Sequence, residues 1–538
     1  MARTPLFREL RRALRLAQVS LHSGESPVAT VEQWRDRVKV SRRQFLGTTA
    51  VAATGAALAG CSALRSPRQA AGERPVVIVG AGIAGLTAGF RLRQAGVPVR
   101  ICEAQSRVGG RMFSLRGHFP DAQVVELGGE LIDTGHTHLR ELCAELGIAL
   151  DDLSQEEPGI DRDLWFIDGE RRRTAELVEA FRPIAARIEA DLGTIAGDGE
   201  VSYRQPNGAE ALDRTSIAQW LDRAGVSGWF RRLLDVAYTT EYGLETDQQS
   251  ALNFLLMIDP KPDPFRIFGE SDERFHVHAG NDAVPAALAR HLADSIETGM
   301  ALEAVSERLD GSLRCSFRRG SSSVTVDADH LLLAIPFTLL RQVKLDLDLP
   351  PVKRRAIEEL GYGTNAKLMI GFAQRRWRQA YRSNGSLFTD LPLQTTWETS
   401  RGQAGASGVL TNFTGGEHGI ELGRGTAAEQ ASLAVRDLER VFPGILAERA
   451  GTTEARFHWP SHPWTRGSYA SYRVGQWTAI GGAEGERVRN VHFAGEHCSR
   501  AAQGFMEGGC ETGEAAAREI LADLGKAAGK SGRAPAAA

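Results

Sequence analysis

Residues 75–104, PVVIVGAGIAGLTAGFRLRQAGVPVRICEA, constrain the fold of this chain more than any other segment. Pro75 to Val79 is a continuous apolar run, suited to a parallel strand buried on both faces. Gly80-x-Gly82-x-x-Gly85 then turns the strand into a helix that opens on Ile83 and Ala84, and Gly89 lets that helix lie close to the sheet. A second strand, Val99 to Cys102, ends at Glu103 and Ala104. Backbone N–H groups of such a turn cradle a pyrophosphate at the positive end of the helix, and an acidic residue at Glu103 accepts hydrogen bonds from ribose hydroxyls. Strand, turn, helix, strand and acidic terminus at this spacing predict an α/β chain with a Rossmann-like dinucleotide-binding domain.

At 538 residues the chain is too long for one core. Strand-and-glycine character recurs in three blocks, 74–135, 274–345 and 488–524. Between them lie a helix-rich stretch, 136–273, and a mixed strand and helix stretch, 346–487. The pattern predicts one nucleotide-binding domain assembled from three blocks, with a substrate domain of sheet and helices inserted twice, its helical part at 136–273. Apolar residues make up 42% and charged residues 24%, and the net charge is −3, so nothing in the charge argues for nucleic acid.

The first sixty residues differ in kind. Residues 1–43 carry ten Arg or Lys against four Asp or Glu and end in Ser41-Arg42-Arg43-Gln44-Phe45-Leu46, followed by a small-residue apolar run from Gly47 to Gly60. This is the pattern of a twin-arginine export signal occupying residues 1–61. Leu58-Ala59-Gly60-Cys61 resembles a lipoprotein box, in which Cys61 would carry a lipid anchor. Residues 62–73 read as a linker and 525–538 as a disordered tail. The six cysteines include no C-x-x-C and no pair that suggests a disulfide framework or a zinc site.

SRVGGRMFS, Ser106 to Ser114, follows Glu103 and resembles the R-x-G-G-R-x-x-[ST] signature of the flavin-dependent amine oxidases, the monoamine oxidase and L-amino-acid oxidase superfamily. The resemblance implies FAD, with Gly110 against the cofactor and Arg107 and Arg111 at its phosphates. VELGGELID, Val125 to Asp133, is similar to the family's strand and glycine turn beside the flavin, with Gly128, Gly129 and Glu130 as contacts. MALEAV, Met300 to Val305, is similar to the adenine-side strand, with Val305 giving backbone contacts. VHFAGEHCSRAAQGFMEGGCETGEAAA, Val491 to Ala517, is similar to the closing motif. There Gly495 and Glu496 meet the ribityl and pyrophosphate region, and a helix starting near Met506 aims its N-terminus at the flavin.

YGTNAKLMIGFAQRRW, Tyr362 to Trp377, puts Lys367 at the head of an apolar strand, where an ammonium faces a desolvation cost. Either the strand edge lets it snorkel to water or, as the resemblance implies, it reaches through a water toward flavin N5; a methionine of similar length would suit the strand. PWTRGSYASY, Pro463 to Tyr472, resembles the stretch where mammalian monoamine oxidases carry a flavin-linked cysteine. Ser468 stands there instead, so the FAD is expected to be non-covalent. Tyr469 would form one wall of an aromatic cage, and Phe505 the other, in place of the family's usual Tyr or Trp.

The resemblance implies an amine or L-amino acid oxidised with O2 to an imine, with ammonia and H2O2 as further products. A monooxygenase or dehydrogenase shares the same motifs, and a flavoprotein without turnover is the alternative of another class. Leu131 occupies the place where L-amino-acid oxidases hold the carboxylate with an arginine, which favours a plain amine, and Glu130 and Asp133 are candidates to meet a second cation. The partners expected are the small-molecule substrate, O2, the twin-arginine machinery and membrane lipid at Cys61, with a homodimer left open and the location periplasmic or extracytoplasmic. No metal is expected, because His136-x-His138 and His276-x-His278 find no third ligand at suitable spacing.

Overall fold

Val76–Val79 lies at the centre of a five-stranded parallel sheet ordered Val491–Phe493, Leu331–Leu333, Val76–Val79, Val99–Cys102, Ile296–Glu297. Pairing on both edges and burial of all four residues leave this strand no solvent face, which is why its apolar run has no polar alternation. The computed structural model describes residues 74–526 apart from 156–158, 162–163, 197–199 and 258–271, with 450–452 described by backbone alone. Residues 1–61, read above as an export signal with Cys61, the 62–73 stretch read as a linker and the residues beyond Lys526 lie outside the described residues.

The glycines of the first motif do different work. Gly80 turns the chain at φ +102°, a left-handed conformation that side chains resist. A Cβ at Gly85 would stand 2.0 Å from the Gly80 carbonyl oxygen, and one at Gly89 2.8 Å from Ile101 Cδ1, so these two residues set how closely helix Ile83–Gln94 lies on the sheet. The last helix, Met506–Asp523, packs on the first through Gly509 and Gly513, whose Cβ positions fall 2.6 Å from Ile83 Cγ2 and 2.4 Å from the Ala84 carbonyl oxygen. Both helices therefore begin side by side at the C-terminal edge of the parallel strands.

A four-stranded sheet, ordered Ser322–Ala328, Leu313–Arg319, Ala301–Glu307, Lys344–Asp346, stands beside this layer. The largest sheet has seven strands, ordered Arg449–His458, Ala366–Phe372, Gly408–Thr414, Thr395–Glu398, Leu387–Thr389, Leu164–Ile167, Glu170–Arg172. Lys367 sits in its second strand, every residue of which is buried. Helices Thr174–Leu192, Ile217–Arg223 and Gly228–Tyr242 share an apolar core with Trp165, Ile167 and Phe388 of this sheet. The chain is thus of mixed α/β class, and no described helix is long and apolar enough to cross a membrane.

Gly85→Ala and Gly513→Ala should each lower stability by about 1–3 kcal/mol, because the atoms that a methyl would meet are backbone oxygens that cannot swing away. Urea denaturation midpoints check this: a midpoint at or above wild type for Gly513→Ala would mean that the helix pair yields and that the helical gain from alanine prevails.

Candidate active site

A cavity of about 780 Å³ opens where the parallel sheet meets the seven-stranded sheet. The three sequence blocks converge on it: Gly80, Gly82, Ile83, Ala84, Glu103, Ala104, Gly110 and Arg111 from the first, Met300 to Glu303 from the second, and Gly495, Glu496 and Met506 from the third. Gly128, Gly129 and Glu130 join them, and Lys367, Tyr469 and Phe505 complete the wall.

Two observations fit this cavity to an anionic dinucleotide. A Cβ at Gly82 would meet no atom within 4 Å, and the residue's φ of −74° suits any side chain, so neither packing nor backbone requires glycine there. The open side of Gly82 faces the cavity, where a close-lying ligand supplies the reason. Neither helix Ile83–Gln94 nor helix Met506–Asp523 has a side-chain cap at its N-terminus, so both present unpaired N–H donors and the positive ends of their dipoles together. Glu103 accepts the Ala81 and Gln105 N–H groups at 2.7 and 2.8 Å; burial raises its pKa against those hydrogen bonds.

Three expected contacts fall elsewhere. Val305 is fully buried in the core beneath the four-stranded sheet, and the strand meets the cavity through Met300 to Glu303, so the contact lies a few residues earlier than the motif suggests. Arg107 does not line the cavity: it donates to the Val108 and Gly110 carbonyls at 3.2 and 2.8 Å, with its guanidinium 4.0 Å above the Phe113 ring. Gly85 serves the packing described above. Arg111 does reach the cavity, held at 2.7 Å from Glu496 and 2.9 Å from the Ser468 carbonyl.

Lys367 is not at a wet edge. With 5% of its side chain exposed, it donates to the Glu126 and Gly128 carbonyls at 3.1 and 2.9 Å and to Glu130 Oε2 at 2.6 Å, which uses all three ammonium protons. Glu130 also accepts from Trp397 Nε1 at 2.9 Å and from the Thr399 hydroxyl at 2.6 Å. Burial works against ionisation of Glu130, but the Lys367 charge and these hydrogen bonds outweigh it and hold its carboxyl below the usual range. Snorkelling is therefore wrong for Lys367, and Glu130 is engaged by Lys367 rather than by a second substrate cation.

Trp397 and Phe413 stand next to Lys367, and Tyr469, Phe505, Leu131, Asp133 and Glu273 also line the cavity. The Tyr469 hydroxyl donates to the Glu241 carbonyl at 2.9 Å, which fixes the ring. Behind Phe505, at 5.1 Å between ring centroids, lies His136, whose Nδ1 accepts the Asp133 N–H at 3.0 Å while Asp133 Oδ1 accepts the Glu273 N–H at 2.7 Å. Burial pushes the His136 imidazole down to about 3. The remaining histidines of the two H-x-H pairs take separate carboxylates, His138 with Glu514, His276 with Glu126 and His278 with Asp151. Trp397, Phe413 and Glu273 escaped sequence reasoning because they sit outside any motif, and only burial of an indole beside a buried charge marks Trp397.

A family model described as flavin containing amine oxidoreductase matches residues 83–521. The chain belongs to this family. It is similar to the human amine oxidase [flavin-containing] B, 24% identical over 82% of this chain and 85% of that protein, and to an L-amino acid dehydrogenase of Synechocystis, 24% identical over 81% and 92%. Its fold is similar to that of cyclohexylamine oxidase from Brevibacterium oxydans, with TM-score 0.72, 22% identity and 84% and 100% coverage. Putrescine oxidase bound to putrescine has TM-score 0.71, 23% identity and 84% and 99% coverage. The match makes the chain's cofactor a flavin.

Lys367→Met leaves the Glu130 carboxylate buried without its cation, so it should cost about 3–5 kcal/mol rather than being tolerated. Glu130→Gln combined with Lys367→Met should recover more than half of that loss. Denaturation of the four-member cycle decides, and additive losses would show that the two residues do not act as a pair.

His136 titrates near its ordinary value when unfolded and near 3 when folded, so the unfolded chain binds more protons between those values. Its contribution is complete above about pH 6.5 and is lost as pH falls toward 3. Thermal midpoints measured from pH 8 to 4 should fall with acidification, and less steeply in His136→Gln; equal slopes would count against a neutral buried His136.

Proposed function

We propose that the chain is an amine oxidase that holds FAD non-covalently and uses O2 as electron acceptor. Gly80, Gly82, Ile83, Ala84, Glu103, Gly110, Arg111, Gly128, Gly129, Gly495, Glu496 and Met506 would hold the cofactor. The chemistry that FAD would supply there is acceptance of a hydride equivalent from the carbon bearing the amine, with O2 as final electron acceptor, so that the products would be an imine, which water hydrolyses, and H2O2. The observation that carries the reading is the junction of an uncapped double helix terminus with an aromatic-walled pocket in one cavity.

The residues themselves orient and exclude. Tyr469 and Phe505 present ring faces that attract an amine and fix its approach. Trp397 and Phe413 keep that part of the cavity apolar, which favours the neutral amine over its ammonium. Lys367 keeps a positive charge at the wall, muted by Glu130, that favours negative charge building up on dioxygen.

Leu131 supplies the argument on substrate class. It stands where the L-amino-acid oxidases carry a carboxylate-binding arginine, and an apolar side chain there offers the α-carboxylate of an amino acid no partner. This favours a plain amine over an L-amino acid. Attachment through Ser468 is chemically closed: its hydroxyl donates to Asn365 at 2.8 Å, and a hydroxyl forms no thioether. The cysteine on the wall, Cys102, is a thiol whose pKa burial pushes up to about 12. The twin-arginine motif at Arg42 and Arg43 supports export of the loaded enzyme, and Cys61 supports anchoring.

An anaerobic panel of monoamines, diamines and L-amino acids, read by bleaching of the flavin, tests this assignment. Amines should bleach at least tenfold faster than amino acids and give stoichiometric H2O2 on admitting air; faster bleaching by amino acids would reverse the substrate class, and no peroxide would make the enzyme a dehydrogenase or monooxygenase. Acid precipitation should leave the flavin in the supernatant, and flavin in the pellet would mean a covalent link.

A further inference from the structure

The far edge of the parallel sheet carries a second constellation that the cofactor does not reach. His330 immediately precedes strand Leu331–Leu333, whose C-terminal end leads into the cavity wall at Ala334 and Ile335. His492 lies in the neighbouring strand, in register with Leu332, and its ring centroid is 5.9 Å from that of His330. Glu519 and Asp523, one turn apart on helix Met506–Asp523, come down beside His492. Helix length puts this corner about 25 Å from Met506 and the flavin end of the cavity.

We propose that His330, His492 and Asp523 bind a divalent transition metal ion of the zinc type. Ligand atoms of the three residues lie within 4.8 Å of one another, and His492 Nε2 is 3.7 Å from Asp523 Oδ2. Tetrahedral coordination with Zn–N and Zn–O bonds of about 2.0–2.2 Å sets ligand atoms roughly 3.4 Å apart, close to the 3.7 Å between His492 and Asp523, so small side-chain movements would draw the set together. The imidazoles are prepared for it. His492 Nδ1 lies 2.9 Å from Glu519 Oε2, an N–H donation that leaves Nε2 as the lone-pair nitrogen. That Nε2 is buried with no hydrogen-bond partner, on a residue that is itself 0% exposed. His330 Nδ1 is likewise buried without a partner. Two adjacent buried nitrogens lacking partners, next to a carboxylate and backed by a second, are what a cation would resolve.

Arg487, 2.5 Å from Asp523 Oδ2, is the competing cation, and its half-exposed side chain has room to turn outward as the ion enters. Water would take the fourth position. A metal here ties the edge strand and its neighbour to the last turn of the helix whose first turn lines the cavity, which makes its role structural.

The test is isothermal titration of tag-free, chelator-dialysed, flavin-loaded protein with Zn2+, and separately Co2+ absorbance to read the geometry. One saturable site per chain is expected, with a tetrahedral Co2+ spectrum and a raised melting temperature. Asp523→Asn should weaken Zn2+ at least tenfold and His492→Gln should abolish binding. Glu519→Gln, which touches no metal, should weaken it about 10–100-fold while flavin content stays unchanged. Should His492→Gln fail to fold, the exposed Asp523→Asn and Glu519→Gln decide alone. No saturable Zn2+ binding in the wild type, or binding equal in wild type and both of those variants, would overturn the site.

Discussion

A lysine buried in the second strand of a seven-stranded sheet, facing a buried glutamate at 2.6 Å, is the contact on which the cavity depends. Neither charge is tolerable alone in that setting, and together they pin the 126–130 turn from above, since Lys367 also holds the Glu126 and Gly128 carbonyls. The same turn is pinned from the other side. Glu126 accepts from His276, the Asn281 N–H and the Ser114 hydroxyl, and Asn281 Nδ2 holds the Gly129 and Glu130 carbonyls. The segment that joins the nucleotide layer to the substrate sheet is thus fixed at both ends of a five-residue span. This rigidity has a purpose: a Cβ at Gly128 would fall 1.8 Å from the Arg111 carbonyl oxygen and one at Gly129 2.8 Å from Met506 Cγ, so the turn touches two other cofactor motifs directly.

How much of this was legible in the sequence depends on whether a residue acts through its neighbours in the chain. The strand, turn and helix around Gly80 to Gly85 are local, and the unbroken apolar run of Val76 to Val79 states in four letters that both faces are covered. The families of contacts from Gly110 to Arg111, Gly128 to Glu130 and Gly495 to Met506 were legible as motifs, and these residues line the cavity. Val305 lies too far along its strand: the cavity meets only the start of Ala301–Glu307 and the residue before it, and the motif's spacing does not say where along a strand the cavity ends. Arg107 was misjudged for a different reason: an arginine five donors rich finds carbonyls and a phenyl face within its own loop.

Long-range pairs were beyond reach in principle. Nothing near Lys367 in the chain announces Glu130, 237 positions away, or Trp397, whose ring lies 5.3 Å from the ammonium. The sequence offered two carboxylates, Glu130 and Asp133, as equals, and only geometry separates them: one neutralises a lysine, the other backs an imidazole beneath the Phe505 ring. The histidines show the same limit in reverse. Close spacing drew attention to H-x-H pairs that the fold sends to different carboxylates, while His330 and His492, far apart in the chain, meet across one strand pair.

The order of assembly gives the topology a further consequence. The central sheet cannot close until Val491–Phe493 arrives beside Leu331–Leu333, and the second uncapped helix terminus comes from residues that follow it. A partial chain ending before that strand has the Gly80 turn but not Gly495, Glu496 or Met506, so it lacks a whole side of the cavity. Cofactor affinity therefore appears only when folding is nearly complete, and the flavin binds and stabilises the finished state. A chain threaded unfolded through a membrane would have to find its flavin on the far side. The five described cysteines are free thiols, four of them buried. Loading before transport is what the export proposed above, through a signal of the Arg42-Arg43 kind, would require.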